Sequence, residues 1–174
     1  INENWRGAPA GRAETDSGFG RSVSGQAAAR FSIIDGLALR GSLGNGFRAP
    51  SLQQRYFNNT STQTVSSVQS QVLTVNNDSP IVRNSLDDSN QKGFGVAPLK
   101  QENSRNYSIG LTARVAQVIT LTVDAYQIDI TDRIVLSSQF STGNPTVNTI
   151  LTSRPDIGRV QFFANAVNTR TQGI

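Results

Sequence analysis

The side chains that carry out most enzyme chemistry are scarce in this sequence. Its 174 residues include no histidine and no cysteine, which excludes imidazole acid–base catalysis, thiolate nucleophiles, disulfides and metal sites built from either side chain. Asp129 and Asp132 are close in sequence, but no histidine, cysteine or convincing nucleophile accompanies them, and turn or strand-end roles suit them better. The acidic run 87–90 lacks the spaced ligands and closing glutamate of a calcium loop. We therefore predict no catalytic residue, no metal site, no cofactor and no enzymatic activity.

The charged residues are mainly arginines. Lys92 and Lys100 are the only lysines among 16 basic residues, and 12 acidic residues leave a net charge of +4. A nucleic-acid-binding β domain gathers basic residues on one face and interleaves them with aromatic side chains. The arginines here are scattered along the chain with few aromatic neighbours. The sequence therefore predicts no nucleic-acid partner.

The composition favours a β protein that does not bury a conventional core. Hydrophobic residues make up 36% of the chain, against the ~45–50% usual for a soluble globular domain. Ser, Thr, Asn, Gln and Gly fill the shortfall, and apolar residues recur with period two instead of the helical period. No run approaches the ~18 apolar residues of a spanning helix, and no signal-peptide pattern is present. Because the chain starts at Ile1 and not at methionine, we expect an internal piece of a longer protein.

Alternation of apolar and polar residues predicts five strands. They lie near residues 26–34, 37–47, 104–115, 118–131 and 160–171. In the fourth strand the apolar residues change parity near Ala125. This change indicates either a β-bulge or a strand that leaves its apolar surroundings at that point.

The connections between these strands alternate in length. Asp35-Gly36 suits a tight hairpin turn, and another short turn is predicted near Ala116-Gln117. The long polar loops 49–103 and 132–159 separate the other strands. Short turns at one end and long loops at the other are typical of an outer-membrane barrel, whose tilted strands need ~9–11 residues. We therefore predict an all-β fold of antiparallel up-and-down strands, part of a large transmembrane barrel with short periplasmic turns and long extracellular loops.

A soluble module is the alternative interpretation. A β-sandwich adhesin or glycan-binding module would also be rich in short strands and turn residues. Such a sandwich carries long loops at both ends, whereas the short turns here occupy one end only. The two interpretations also differ in whether the purified chain needs detergent.

Four short motifs, in the right order, resemble those of TonB-dependent outer-membrane receptors. The first is Gly44–Leu52, GNGFRAPSL, and the second is Leu99–Glu102, LKQE, in which Gln101 replaces a frequent proline. The third is Tyr126–Ile134, YQIDITDRI, and the fourth is Phe162–Ile174, FFANAVNTRTQGI. The resemblance covers residues 39–174 and implies a fragment from the C-terminal half of a 22-stranded barrel, without the plug domain or the TonB box.

The resemblance also implies roles for individual residues. The family-signature positions, structural or facing the lumen, are Gly46, Phe47, Arg48, Ala49, Pro50, Asn165 and Gly173. Tyr56 and Phe57 follow the first motif and, with Arg48, are candidate ligand contacts. For Arg48 we favour pairing with plug or loop groups in the upper lumen over ligand contact.

A receptor of this family would take up a scarce nutrient, such as a ferric siderophore, cobalamin or a glycan, by TonB-coupled active transport. The implied partners are outer-membrane lipid, the ligand and the TonB energy-transducing complex, which would act through the plug. The implied location is the outer membrane of a Gram-negative bacterium. The chemistry is capture and gating, with no bond made or broken.

Overall fold

The structure is a computed structural model that describes residues 4–16, 20–65, 68–83, 94, 96–115, 118–141, 145–151 and 154–174. The strands in these residues are β1 Trp5–Asp16, β2 Gly20–Ile34, β3 Leu37–Arg48, β4 Asn59–Val65, β5 Val68–Val75, β6 Glu102–Val115, β7 Ile119–Leu136, β8 Phe140–Ser141 and β9 Ile157–Gly173. The helices are α1 Leu52–Tyr56, α2 Pro80–Arg83 and α3 Pro145–Ile150. Within the described residues, none of the helices has the length and apolar character needed to cross a membrane.

The chain divides into two compact units. The strand unit comprises Ile1–Ala49, Gln101–Asp132 and Asn168–Ile174. The loop unit comprises Pro50–Lys100 and Arg133–Val167. β7 and β9 are long enough to contribute residues to both units.

The strand unit is a sheet with the order β1-β2-β3-β6-β7-β9. The predicted hairpins are confirmed, because β2 pairs antiparallel with β3 and β6 pairs antiparallel with β7. Gly36 closes the first hairpin with φ of +82°, a backbone conformation that glycine adopts without strain. The second predicted turn, Ala116-Gln117, lies outside the described residues.

Sequence reasoning missed β1 and the first residues of β2. At its alternate positions β1 carries Gly7, Pro9, Gly11 and Ala13, which are too small to produce a visible apolar alternation. Its pairing nevertheless runs without a break from Trp5 opposite Phe31 to Asp16 opposite Gly20. Pro9 is tolerated because β1 is the outermost strand in the sheet order, where one side of the backbone needs no partner within this sheet.

The two faces of the strand unit differ in polarity. The strand registers align one apolar row across five strands: Trp5, Phe31, Leu39, Leu111 and Val123. All five side chains are exposed, so this face has no protein core against it. We call it the apolar face; the neighbouring row on the other, polar face is Arg6, Arg30, Arg40, Gly110 and Asp124.

The change of parity in β7 is not caused by a β-bulge. The β6–β7 register is continuous from Asn103 opposite Thr131 to Val115 opposite Ile119. On the apolar face the residues after Ala125 are Gln127 and Asp129. The strand therefore leaves apolar surroundings at this point, and the bulge alternative is wrong.

The loop unit contains regular structure that the sequence did not predict. β4 and β5 form a hairpin, β7 continues to Leu136, and β9 begins already at Ile157. β5 pairs parallel with β9, which departs from a purely antiparallel arrangement. Parallel neighbours need a long crossover connection, and residues 76–156 provide one.

The described hydrophobic core lies in the loop unit. Its buried members are Leu73, Val75, Val82, Val147, Leu151, Ile157, Val160 and Phe162. Phe94, Phe140 and Phe162 pack their rings together, with centroids 4.9 to 5.7 Å apart. The core was not foreseen because its buried residues come from four separated segments, each too short to show periodicity alone.

Candidate functional site

The first two motifs meet in a salt bridge. Arg48 ends β3 and lies directly opposite Glu102, which begins β6. The Arg48 guanidinium donates from Nε to Oε2 at 2.8 Å and from Nη2 to Oε1 at 2.5 Å. Glu102 is buried, with 6% of its surface exposed, whereas the Arg48 side chain remains about half exposed. This bidentate geometry holds the Arg48 guanidinium on the neighbouring strand.

The rest of the first motif ends the strand and starts a helix. Phe47 and Ala49 are half-buried, and Pro50 is buried. Ser51 caps α1: its Oγ accepts from the Gln54 backbone N–H at 3.1 Å, and Gln54 Oε1 accepts from the Ser51 N–H at 3.0 Å. This capping box stabilises the first turn of the helix that carries Tyr56.

At two of the signature positions an added Cβ would come too close to a neighbouring side chain. A Cβ on Gly173 would lie 2.6 Å from the Tyr126 ring, so the third and fourth motifs pack against each other at this point. A Cβ on Gly46 would lie 2.9 Å from Ser104 Oγ.

Asn165 of β9 forms hydrogen bonds with the segment that precedes β6. Its Oδ1 accepts from the Lys100 N–H at 2.7 Å, and its Nδ2 donates to the Lys100 carbonyl at 3.0 Å. Sequence reasoning missed its counterpart, Asn77, which is only 1% exposed. Asn77 Nδ2 donates to the Phe163 carbonyl at 3.0 Å, and its Oδ1 accepts from the Leu99 N–H at 3.1 Å. Nothing in the local sequence distinguishes this buried amide from the surrounding polar residues.

Tyr56 and Phe57 lie on the surface of the loop unit. Tyr56 is 55% exposed and Phe57 is 36% exposed. The Arg55 guanidinium lies 5.2 Å from the centroid of the Tyr56 ring, within the range of a cation–π contact. We call Arg55, Tyr56 and Phe57 the aromatic–arginine patch. Arg55 also pairs with Asp78, with 3.8 Å between Nε and Oδ2. The exposed rings of such a surface can contact an aromatic ligand.

A salt bridge of the loop unit lies in the segment just before β9. Arg154 donates to both carboxylate oxygens of Asp156, at 3.1 and 3.0 Å. These hydrogen bonds hold the pKa of the Asp156 carboxyl below its usual range. The pair therefore stays charged throughout the neutral pH range.

The polar face of the strand unit carries a salt bridge across an intervening strand. Arg40 Nε on β3 donates to Asp124 Oδ1 on β7 at 2.9 Å, and a second hydrogen bond joins the same two side chains. Gly110 of β6 lies between them, and a Cβ there would be 1.8 Å from Asp124 Oδ1. Their pairing could not be predicted from the sequence, because the contact depends on strand order. Among the described residues, no group of three or more histidine, cysteine, aspartate or glutamate side chains could hold a metal ion.

Residues 1–174 match the family model described as TonB dependent receptor-like, beta-barrel. The chain belongs to this family. The match confirms the resemblance found in the four motifs and the prediction of an all-β barrel fragment.

Solved structures of TonB-dependent receptors share the fold. The siderophore receptor PirA from Pseudomonas aeruginosa has a TM-score of 0.68 and 15% identity, over 99% of this chain and 28% of that receptor. PirA from Acinetobacter baumannii gives 0.64 and 15%, over 99% and 23%. A mutant of the ferric enterobactin receptor PfeA from Pseudomonas aeruginosa, in complex with enterobactin, gives 0.65 and 13%, over 99% and 22%. The chain thus spans about a quarter of the length of these receptors. No curated protein matches its sequence.

Within this family fragment the structure brings some predicted site residues together and leaves others apart. Arg48 contacts Glu102, Asn165 contacts Lys100, and Gly173 packs on Tyr126. Each of these contacts joins two of the sequence motifs or their flanks. Tyr56 and Phe57 belong instead to the exposed patch of the loop unit.

Proposed function

We propose that this chain forms part of an outer-membrane receptor that takes up a scarce nutrient by TonB-coupled active transport. The observation that carries the proposal is the two-faced sheet of a TonB-dependent receptor barrel, apolar on one side and polar on the other. In an outer-membrane barrel the apolar side meets lipid and the polar side faces the lumen. The location is then the outer membrane of a Gram-negative bacterium.

The height of the apolar face fits this role. On β6 the apolar residues extend from Val115 to Tyr107, a length of about 27 Å at about 3.4 Å per residue. With a tilt of about 35–45° the same stretch rises about 20 Å along the membrane normal, comparable to the ~25 Å apolar band of such barrels. We call this stretch the apolar band.

The orientation follows from the connections. β2 and β3 are joined by a tight turn at Asp35-Gly36, whereas β3 and β6 are joined by residues 49–101, which belong almost entirely to the loop unit. Outer-membrane barrels have short periplasmic turns and long extracellular loops. The loop unit is therefore the part that meets the nutrient first.

A ferric siderophore is the ligand class that we favour over cobalamin or a glycan. The similar solved structures are described as a siderophore receptor and as a ferric enterobactin receptor with enterobactin bound. The aromatic–arginine patch offers two exposed rings, which suit an iron chelate with aromatic groups. The Arg55 guanidinium beside these rings is paired with Asp78. Arg48, which is paired with Glu102, has a positioning role instead. Energy would come from the TonB complex through a plug domain outside this chain, and the receptor makes and breaks no bond.

Uptake by a deletion strain tests the proposal. Cells without the receptor are supplied under iron limitation with a panel of radiolabelled ferric siderophores, labelled cobalamin and labelled glycans. We expect the loss of TonB-dependent uptake of one ferric siderophore and its recovery with the wild-type gene. Tyr56→Ala in the full receptor should weaken binding of that siderophore about five- to tenfold, whereas Tyr107→Ala, on the apolar face, should not. Unchanged uptake of every compound in the panel would contradict the proposal.

A further inference from the structure

Three arginines lie side by side in one row on the polar face. The strand registers place Arg6 of β1 opposite Arg30 of β2, and Arg30 opposite Arg40 of β3. All three residues are exposed. Neighbouring strands are only about 4.8 Å apart, and like charges directly opposite each other destabilise a sheet. We call Arg6, Arg30 and Arg40 the arginine row.

Within the described part of the chain, one carboxylate compensates the arginine row. Arg40 Nε donates to Asp124 Oδ1 at 2.9 Å. Arg30 Nη1 donates to Ser32 Oγ at 3.1 Å, but a hydroxyl brings no negative charge. Neither Arg6 nor Arg30 forms a salt bridge with a described residue. Three guanidiniums and one carboxylate therefore leave a net charge of +2.

The arginine row borders a hollow of about 510 Å³ on the polar face. The floor of this hollow is the neighbouring row Ala8, Ala28, Ser42 and Ser108, in which every side chain is small. The Ser42 and Ser108 hydroxyls lie 2.8 Å apart and share a hydrogen bond. The hollow thus leaves room for a ligand group beside the guanidiniums, which bind carboxylates and other oxyanions through charge-assisted hydrogen bonds.

The arginine row lies at the depth of the membrane hydrocarbon. Gly110 continues the row on β6 and lies near the middle of the apolar band, which extends from Tyr107 to Val115. Charged side chains at this depth face a water-filled cavity or another charge, and they commonly mark the pathway of a substrate. The polar face of an outer-membrane barrel lines its lumen. The uncompensated charge is therefore placed where a transported compound passes.

We propose that the arginine row is a transit site for an anionic ferric chelate and that it favours anionic chelates over uncharged ones. This inference rests on the proposed function and narrows its substrate class to chelates with a net negative charge. Oxyanion groups of the chelate bind Arg6 and Arg30, while Arg40 stays paired with Asp124. A site on a transport pathway must bind strongly enough to admit the substrate and weakly enough to release it. The partial compensation by Asp124 and the exposure of the row meet both conditions.

The first test measures which charge class the full-length receptor transports. Cells with and without the receptor are supplied with radiolabelled ferric enterobactin, which is an anionic tris-catecholate, with an anionic ferric polycarboxylate, and with an uncharged ferric tris-hydroxamate. We expect receptor-dependent uptake of an anionic chelate and no uptake of the uncharged one. Uptake of the uncharged chelate would overturn this inference and leave the proposed function standing. Uptake of no ferric chelate would contradict the proposed function itself.

The second test removes the charge from the row. Arg6→Gln combined with Arg30→Gln should lower the maximal uptake rate of the anionic chelate about fivefold, because two charge-assisted contacts are lost. Binding of the chelate to energy-depleted cells should be unchanged, since the loop unit meets it first. Arg6→Lys combined with Arg30→Lys keeps the charge and should preserve most of the rate. Arg114→Gln is the matched control, because Arg114 is exposed on the same face but does not line the hollow.

Urea unfolding of the purified receptor separates transit from a structural role. Removing two like charges from neighbouring strands should leave the midpoint of the Gln double variant unchanged or raise it. A lowered midpoint would mean that the row holds acidic groups of the plug domain, and it would overturn the inference. Equal uptake rates for wild type and the Gln double variant would also overturn it, as would an equal loss in Arg114→Gln.

Discussion

At the residue scale, contacts between motifs account for three of the signature positions: Arg48, Asn165 and Gly173. Arg48 is conspicuous in the sequence, but only the register shows that its partner is Glu102, 54 positions later. The pair joins one buried carboxylate to a half-exposed guanidinium. Gly173 and Gly46 leave room for a neighbouring side chain. These residues therefore hold strands together and position the segments that follow them.

Arg48→Ala should destabilise the assembled barrel more than Arg30→Ala does. The first change removes two hydrogen bonds from a buried carboxylate and should cost about 1.5–3 kcal/mol. Arg30 lies on the same face, is exposed and has no carboxylate partner among the described residues, so its removal should cost less than about 0.5 kcal/mol. The measurement is urea unfolding of the refolded receptor in detergent, followed by gel mobility. Equal midpoints for the two variants would show that the pair contributes nothing.

Gly173→Ala should destabilise the barrel, whereas Gly11→Ala should not. The new methyl at position 173 would lie 2.6 Å from the Tyr126 ring, and moving that ring should cost about 1–3 kcal/mol. At Gly11 no atom lies within 4 Å of the added Cβ. Membrane yield and heat-modifiable gel mobility of the two variants provide the comparison. A normal yield of Gly173→Ala would mean that Tyr126 rearranges freely.

At the element scale, alternation in the sequence identified strands with large apolar residues and overlooked the others. β6, for example, was predictable because Tyr107, Ile109 and Leu111 repeat with period two. β1 was not, because glycine, alanine and proline give no such signal. The core of the loop unit could not be predicted for another reason. Val82, Val147 and Ile157 come from three distant segments and meet only after these have folded. The salt bridges between strands could not be predicted either, because no local sequence pattern determines the strand order.

Adjacent residues of β3 should respond in opposite ways to a change of polarity. Leu39 lies in the apolar row that meets lipid, and Arg40 lies in the polar row beside it. Leu39→Arg should reduce insertion strongly, since an arginine near the bilayer midplane costs about 2–4 kcal/mol. Arg40→Leu should reduce insertion much less, although it removes the bond to Asp124. Western blots of isolated outer membranes measure both, and equal yields would contradict the assignment of faces.

At the scale of the whole molecule, the two units bury apolar surface in different ways. The loop unit packs its apolar residues into a protein core, whereas the strand unit leaves its apolar residues exposed for lipid. β1 is an open edge of the sheet. The apolar face is a large apolar patch that no described part of the chain covers. Open edges and large apolar patches promote association.

The isolated 174-residue chain should therefore self-associate or require detergent. Sedimentation velocity in detergent-free buffer is the measurement, with the same sample in detergent micelles as the control. We expect large, heterogeneous species without detergent. A compact monomer that unfolds cooperatively in plain buffer would favour the soluble β-sandwich over a segment of a barrel wall.

One face of this sheet should meet lipid, and the other should face a polar lumen. Because the chain has no cysteine, single cysteines can be placed in β6 from Tyr107 to Val115, in a full-length receptor cleared of any other cysteine. Gly110 is left unchanged, because a Cβ at that position would clash with Asp124. Spin labels at these positions, in receptor reconstituted into bilayers, report collisions with oxygen, which concentrates in lipid, and with a water-soluble nickel chelate. We expect a period of two, with high oxygen access at positions 107, 109, 111, 113 and 115 and low access at positions 108, 112 and 114. Equal access at neighbouring positions, or oxygen access highest at the even-numbered positions, would contradict it.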